Sequence, residues 1–262
     1  MRTSVTMPGR ERSGNMRRLK YALQACLAFA LLAAPPTTAA AAQTRIGLEP
    51  FYFWGRHFEP GNDISGAAPG FFVDLRHHTG RFELKLEGVP AISVHSTTIS
   101  AIGVPESQSI GILDSDLRLY VDSQQRFFVS VGEALATQTT PFAVSGGVTH
   151  TDSRVVGGRY GLGTSLSLSR ATFVESQFVL MPALHGVVSY RVPAPFAPLA
   201  PRAEAGSNVE FVAAIGTHAG RSECLLGVHS INYAADFTDG TAADQIVSVG
   251  VFGEYRYVFG RR

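Results

Sequence analysis

The chain has 262 residues, two cysteines and a formal net charge of +1, which is enough for one ordinary domain and no more. Six of its 22 basic residues and one of its 21 acidic residues fall in the first 42 positions, which leaves 16 against 20 and a net charge of −4 in the remainder. That balance, with no basic patch interleaved with aromatics, excludes nucleic acid as a partner. Cys224 stands alone beyond residue 42, so an intramolecular disulfide there is excluded as well.

Residues 1–42 read as an address. Arg17, Arg18 and Lys20 form a basic region, and residues 21–34 are an apolar core of 14 residues. Pro35 and Pro36 end it, and the small residues Ala39 to Ala42 offer cleavage sites. This is the pattern of a secretory signal peptide with a short N-terminal extension, cleaved before Gln43. The apolar core falls short of the ~18 residues of a spanning helix. Residues 43–262 form the second unit, and no further run in them is apolar and long enough for a membrane helix.

Ten extended segments follow in order: 45–54, 70–77, 81–95, 109–121, 126–137, 153–166, 171–191, 203–215, 221–236 and 245–259. Successive side chains of a strand point to opposite faces, so a half-apolar strand alternates. Phe71, Val73 and Leu75 alternate with Asp74 and Arg76, and Phe82, Leu84 and Leu86 with Glu83, Lys85 and Glu87. Leu113, Leu117 and Leu119 oppose Asp114, Asp116 and Arg118, and Val209 and Phe211 oppose Asn208 and Glu210. The last segment is the clearest: Val247, Val249, Val251, Gly253, Tyr255, Tyr257 and Phe259 share one face, and Ser248, Gly250, Phe252, Glu254 and Arg256 the other. Pro90 and Pro182 interrupt the third and seventh segments, and each removes a ladder donor, so a bend or bulge is expected at both. The connections alternate long and short from the first onward. The long ones are 55–69, 96–108, 138–152, 192–202 and 237–244, and the short ones carry turn formers such as Thr79-Gly80 and His218-Ala219-Gly220.

An exported chain whose strands are apolar on one face, with loops sorted by length, resembles a bacterial outer-membrane β-barrel protein. The closing Tyr255-Arg256-Tyr257-Val258-Phe259 is similar to the C-terminal signal read by that family's barrel assembly machinery, although Gly260-Arg261-Arg262 follow it here. The resemblance implies an all-β, closed antiparallel up-and-down transmembrane barrel of about ten strands, with eight or twelve as alternatives. It also implies the outer membrane as location, and outer-membrane lipids and the assembly machinery as partners. Tyr255, Tyr257 and Phe259 would form the assembly signal.

With the apolar faces toward lipid, the polar ones fill the lumen: Asp74, Arg76, Glu83, Lys85, Glu87, Asp114, Asp116, Arg118, Arg159, Glu175, Gln177, Asn208, Glu210, Glu254 and Arg256. Charges there must be paired or hydrated, and a barrel of this size is narrow. A salt-bridged, plugged lumen is therefore expected. Tyr52, Trp54, Phe58, Tyr190, Tyr255, Tyr257 and Phe259 are candidates for interfacial girdles, and the run Phe51-Tyr52-Phe53-Trp54 fits one.

Catalytic patterns are weak. His229 and Ser230 are adjacent and so face apart, and Ser93-Val94-His95 has the same-face spacing but lies beside Pro90. Asp114 and Asp116 share a face, but Arg118 follows on it, which favours a structural ion pair. No metal motif or cofactor motif occurs, and His77-His78 face apart. The glycines at 157, 158, 161 and 163 lie inside a strand pattern with no helix after them. The reading is a non-enzymatic, structural, adhesive or surface-exposed barrel. A narrow channel or solute carrier, a lipid A-directed hydrolase and a soluble periplasmic β-rich binder are the alternatives.

Overall fold

The protein was described from a computed structural model over residues 42–59, 62–99, 105–144, 147–191 and 199–259. Residues 1–41, where the signal peptide is expected, and the closing Gly260-Arg261-Arg262 lie outside the described residues. Ten strands run in chain order: β1 (Gln43–Glu59), β2 (Asn62–Thr79), β3 (Phe82–Ile99), β4 (Pro105–Tyr120), β5 (Phe127–Val144), β6 (Gly147–Ser167), β7 (Thr172–Arg191), β8 (Arg202–Ala219), β9 (Ser222–Phe237) and β10 (Ala242–Phe259). Each pairs antiparallel with its chain neighbours, and β1 pairs with β10 from Thr44↔Phe259 to Phe58↔Gln245. The sheet therefore closes into the up-and-down barrel expected from the alternation, and its backbone groups are satisfied without an open edge.

The strands begin where the sequence places them at one end and overrun it at the other. They are 16 to 21 residues long, whereas about 9–11 tilted residues cross a bilayer. The segments read as long loops at 55–69, 96–108 and 138–152 are mostly strand: β1 runs on to Glu59, β2 starts at Asn62, and β5 and β6 pair from Phe127↔Thr164 up to Val144↔Gly147. The expected sorting of connections into long and short is correspondingly reduced. A hairpin with water on both faces needs no apolar side, so a hydrogen-bond ladder can continue where the period-two signal has stopped. We call this the loop end, and the opposite one, which holds Gln43 and Phe259, the turn end.

Turn chemistry is tight at the turn end. Gly80 and Gly220 take φ of 58° and 62°, the left-handed region their two-residue turns require. Gln125 also sits at φ 56°, and its Nε2 donates to the Gly80 carbonyl at 2.6 Å, tying two neighbouring turns together. At the loop end, Asp239 between β9 and β10 accepts from the Thr241 hydroxyl at 2.6 Å and the Thr241 N–H at 3.0 Å. Those bonds hold its carboxyl at about 2, below the usual range. Both prolines mark irregularities: the β3–β4 register shifts between Val89 and Ile92, and the β7–β8 register between Met181 and Leu184.

The outer face is an apolar belt. Leu84, Val249, Leu48, Leu113, Phe211 and Leu226 are all exposed, and Leu117 points the same way. Tyr52 and Trp54 stack edge-on at 4.7 Å on this face, and Tyr257 and Phe259 at 4.8 Å near the turn end. The girdle expected from Phe51-Tyr52-Phe53-Trp54 is only half there. Phe51 and Phe53 turn inward and are buried, because their parity on β1 is that of the lumen. Among the other girdle candidates, the side chain of Phe58 lies outside the described residues and Tyr190 is half-buried. Glu133 breaks the belt as an exposed outward carboxylate on β5.

Two outcomes follow. Trp54 is the single tryptophan and faces outward, so its emission in liposomes should be quenched by lipids brominated in their acyl chains and unaffected by aqueous iodide. Leu226→Arg on the same face, midway between the two aromatic pairs, should lower unfolding free energy in bilayers by about 2–4 kcal/mol, the cost of a midplane cation facing lipid, measured by urea titration of tryptophan emission.

Candidate functional site: the ionic lumen and the space above it

The inward residues repeat one vertical order. From the turn end upward, β10 presents Val258, Arg256, Glu254, Phe252, Gly250 and Ser248, and β1 presents Arg45, Gly47, Glu49, Phe51 and Phe53. On β2 the order is Arg76, Asp74, Phe72, and on β4 it is Arg118, Asp116, Asp114, Ile112. Charged side chains thus gather in the turn-end half, and aromatic and aliphatic ones above them. Glycines at inward positions make the room: a Cβ at Gly47 would collide with the Asp74 carboxylate, and one at Gly70 with the Phe51 ring.

The sequence-predicted lumen residues all face inward. Asp74, Arg76, Glu83, Glu87, Asp114, Asp116, Arg118, Arg159, Gln177, Asn208, Glu210, Glu254 and Arg256 are buried, and Lys85 and Glu175 are half-buried. They form two connected layers. In the lower one, Arg256 donates through Nη1 and Nη2 to the two oxygens of Glu175, each at 2.9 Å, and through Nη2 to Glu254 at 2.6 Å. Arg76 donates to Asp74 at 2.5 Å and to Glu175 at 3.3 Å. In a ring of ten strands β2 and β7 are diametrically opposite, so the Arg76–Glu175 pair spans the lumen. Arg118 donates to Glu83 at 2.9 Å and to Gln177 at 2.6 Å, and lies 4.6 Å over the Phe128 ring.

The upper layer centres on Arg159. Its guanidinium pairs with Asp114, lies 3.4 Å from Asp116 and donates to Glu210 at 3.3 Å. The Asp114–Asp116 pair is therefore held by an arginine from β6, and the expected pairing with Arg118 is corrected: Arg118 points to Glu83 and Gln177 instead. Lys85 pairs with Glu87 along β3. Acids outnumber bases in this layer, which also holds buried Glu49.

Residues missed in the sequence follow from parity. Glu49, Glu204, Glu223 and Arg45 continue the inward faces of strands whose pattern is less regular, and each would have been found by counting in twos from a neighbouring lumen residue. His229 is buried and edge-on to Phe53 at 5.4 Å. Ser230 faces outward on the same strand, so no His–Ser pair forms there. The side chains of Ser93 and His95 lie outside the described residues. His77 faces outward, within 3.0 Å of the Thr44 hydroxyl, and His78 inward. Among the described residues no cluster of three or more His, Cys, Asp or Glu is placed to hold a metal ion.

Together the closed sheet, the apolar belt and the ionic interior define a β-barrel of the outer-membrane type. No protein-family model and no curated protein matches the sequence. Among solved structures, the chain is similar to the outer membrane protease OmpT of Escherichia coli at 7% identity. The match covers 85% of this chain and 99% of that one with a TM-score of 0.52. It is also aligned with the toluene transporter TodX of Pseudomonas putida (12% identity, 87% and 93% coverage, TM-score 0.36). A third alignment is with the β domain of the Bordetella autotransporter BrkA (15%, 82% and 99%, 0.40). The likeness to OmpT is one of fold, and it is the fold of an outer-membrane barrel.

Removing one partner from a buried pair leaves the others uncompensated, which typically costs about 3–5 kcal/mol. Arg159→Met should destabilise the barrel by that order, because three carboxylates lose their shared cation. The paired change Arg159→Met with Asp114→Leu should recover part of the loss. Urea midpoints of the two variants in lipid check this.

Proposed function

We propose that the chain is an outer-membrane, non-enzymatic barrel whose lumen its own side chains close, and which acts by what it presents at the cell surface. The observation that carries this is the Arg76–Glu175 pair at 3.3 Å between opposite walls, reinforced by Arg256 on the same carboxylate. A guanidinium and a carboxylate meeting on the axis leave no continuous path for a hydrated solute. The leader and the apolar belt support export and residence in the outer membrane. In that setting the turn end faces the periplasm and the extended hairpins β1–β2, β3–β4 and β5–β6 project outside. Tyr255, Tyr257 and Phe259 lie along the last strand, where the assembly machinery would read them.

The carboxylates nearest to a hydrolytic arrangement, Asp114 and Asp116, lie deep beside Arg159 and away from either rim. That placement favours a structural role over catalysis. Barrel proteins retain compact mobility on unheated gels. The membrane-fractionated protein is therefore expected to be heat-modifiable and, in planar bilayers, to give no conductance steps. A double change of Arg76→Ser and Arg256→Ser should produce open steps. Steady conductance by the unaltered chain would overturn the closed-lumen reading.

A further inference from the structure

Above the ionic layers the lumen holds a cavity of about 180 Å³. Its walls are Phe53, Phe72, Leu184 and Ile231, and it rises past Gly55 and Ile246 toward the loop end. Its floor is polar: Asp114, Asn208 and Glu210. A dry apolar cavity of roughly 150 Å³ accepts a benzene ring, so this one has space for a single ring or a short alkyl chain with a small head group.

The floor says which head group. Asp114 and Asn208 are 7% and 8% exposed, and the Oδ1 atom of each has no hydrogen-bond partner. Asn208 is oriented by its Nδ2, which donates to Glu210 at 2.8 Å and so leaves the carbonyl oxygen free. Both orphan atoms are therefore acceptors, buried at a cost unless a donor reaches them. Charge points the same way. Asp114, Asp116 and Glu210 share one guanidinium, Arg159, and the local balance is negative. An anion would meet three carboxylates that share a single cation, and a purely apolar molecule would leave both acceptors unsatisfied.

We infer that this cavity is a binding site for a small amphiphilic amine, its protonated nitrogen on the Asp114 and Asn208 oxygens and its apolar body against Phe53, Phe72 and Leu184. The site is stopped below by the ion pairs, so it retains a ligand without passing it on toward the turn end. This goes beyond the closed-lumen reading and is separable from it: a barrel that conducts and still binds would overturn the plug alone.

The test is calorimetric titration of the full-length mature protein in detergent with benzylamine, and with benzoate as the anion of similar size. Benzylamine should saturate at one per barrel, and benzoate should show no saturable binding. Asp114→Asn combined with Glu210→Gln should weaken benzylamine about tenfold or more, the loss of a charge-assisted contact. Ala134→Phe, on the cavity wall and outside the ion pairs, should abolish binding. It decides the matter if the double variant lacks heat-modifiable mobility. Equal binding of the two probes, absence of saturation, or benzylamine affinity untouched by Ala134→Phe would each overturn the inference.

Discussion

Glu175 receives arginines from two other strands, Arg76 from across the barrel and Arg256 from β10, and the interior is organised around that convergence. In a ring of ten strands the lumen is too wide for one side chain to fill and too narrow to hold bulk water comfortably. Long, charged side chains reach the axis and meet there. Each is expensive to bury alone and tolerable only in company. The network therefore fixes which residues face in, and the outward face follows by parity, since a strand that commits Asp74 and Arg76 to the middle must commit Val73 and Leu75 to the outside.

The vertical order is a second consequence. Charges occupy the turn-end half, and Phe51, Phe53, Phe72 and Phe252 form an aromatic layer above them. That layer shields the ion pairs from the loop end and strengthens them by lowering the local dielectric. It is possible only because inward glycines such as Gly70 and Gly250 leave space for the rings. The same apolar layer bounds the cavity, so the packing that protects the plug also creates the pocket over it.

Much of the fold was legible because period-two alternation is strong wherever one face meets lipid and the other a charged interior. Strands β2, β3, β4 and β10 could be read residue by residue. The loop-end extensions could not, because the sequence of 55–69 and 138–152 carries no period-two alternation of apolar and polar residues. The aromatic run of β1 misled for a related reason: four consecutive aromatics hide their alternation, and composition points to an interface where parity puts Phe51 and Phe53 inside. Individual lumen residues were visible in the sequence, but their partners were not. Asp116 and Asp114 sit two and four positions from Arg118 and yet are held by Arg159, from a strand two places around the ring. A one-dimensional pattern contains facing but not the angle at which a curved wall brings facing side chains together.

The placement of Arg256 bears on how such a cylinder is finished. It lies on β10, the last strand to be made, while Glu175 waits on β7 and Arg76 on β2. Until β10 zips against β1, a half-built sheet exposes acids that lack one of their cations, and water has to remain among them. Docking the seam and drying the middle are thus a single event, and its driving force includes electrostatics that no earlier hairpin possesses. The final strand is in this sense a key as well as a wall: a chain truncated before Arg256 would have a gap in its circumference and an unneutralised heart.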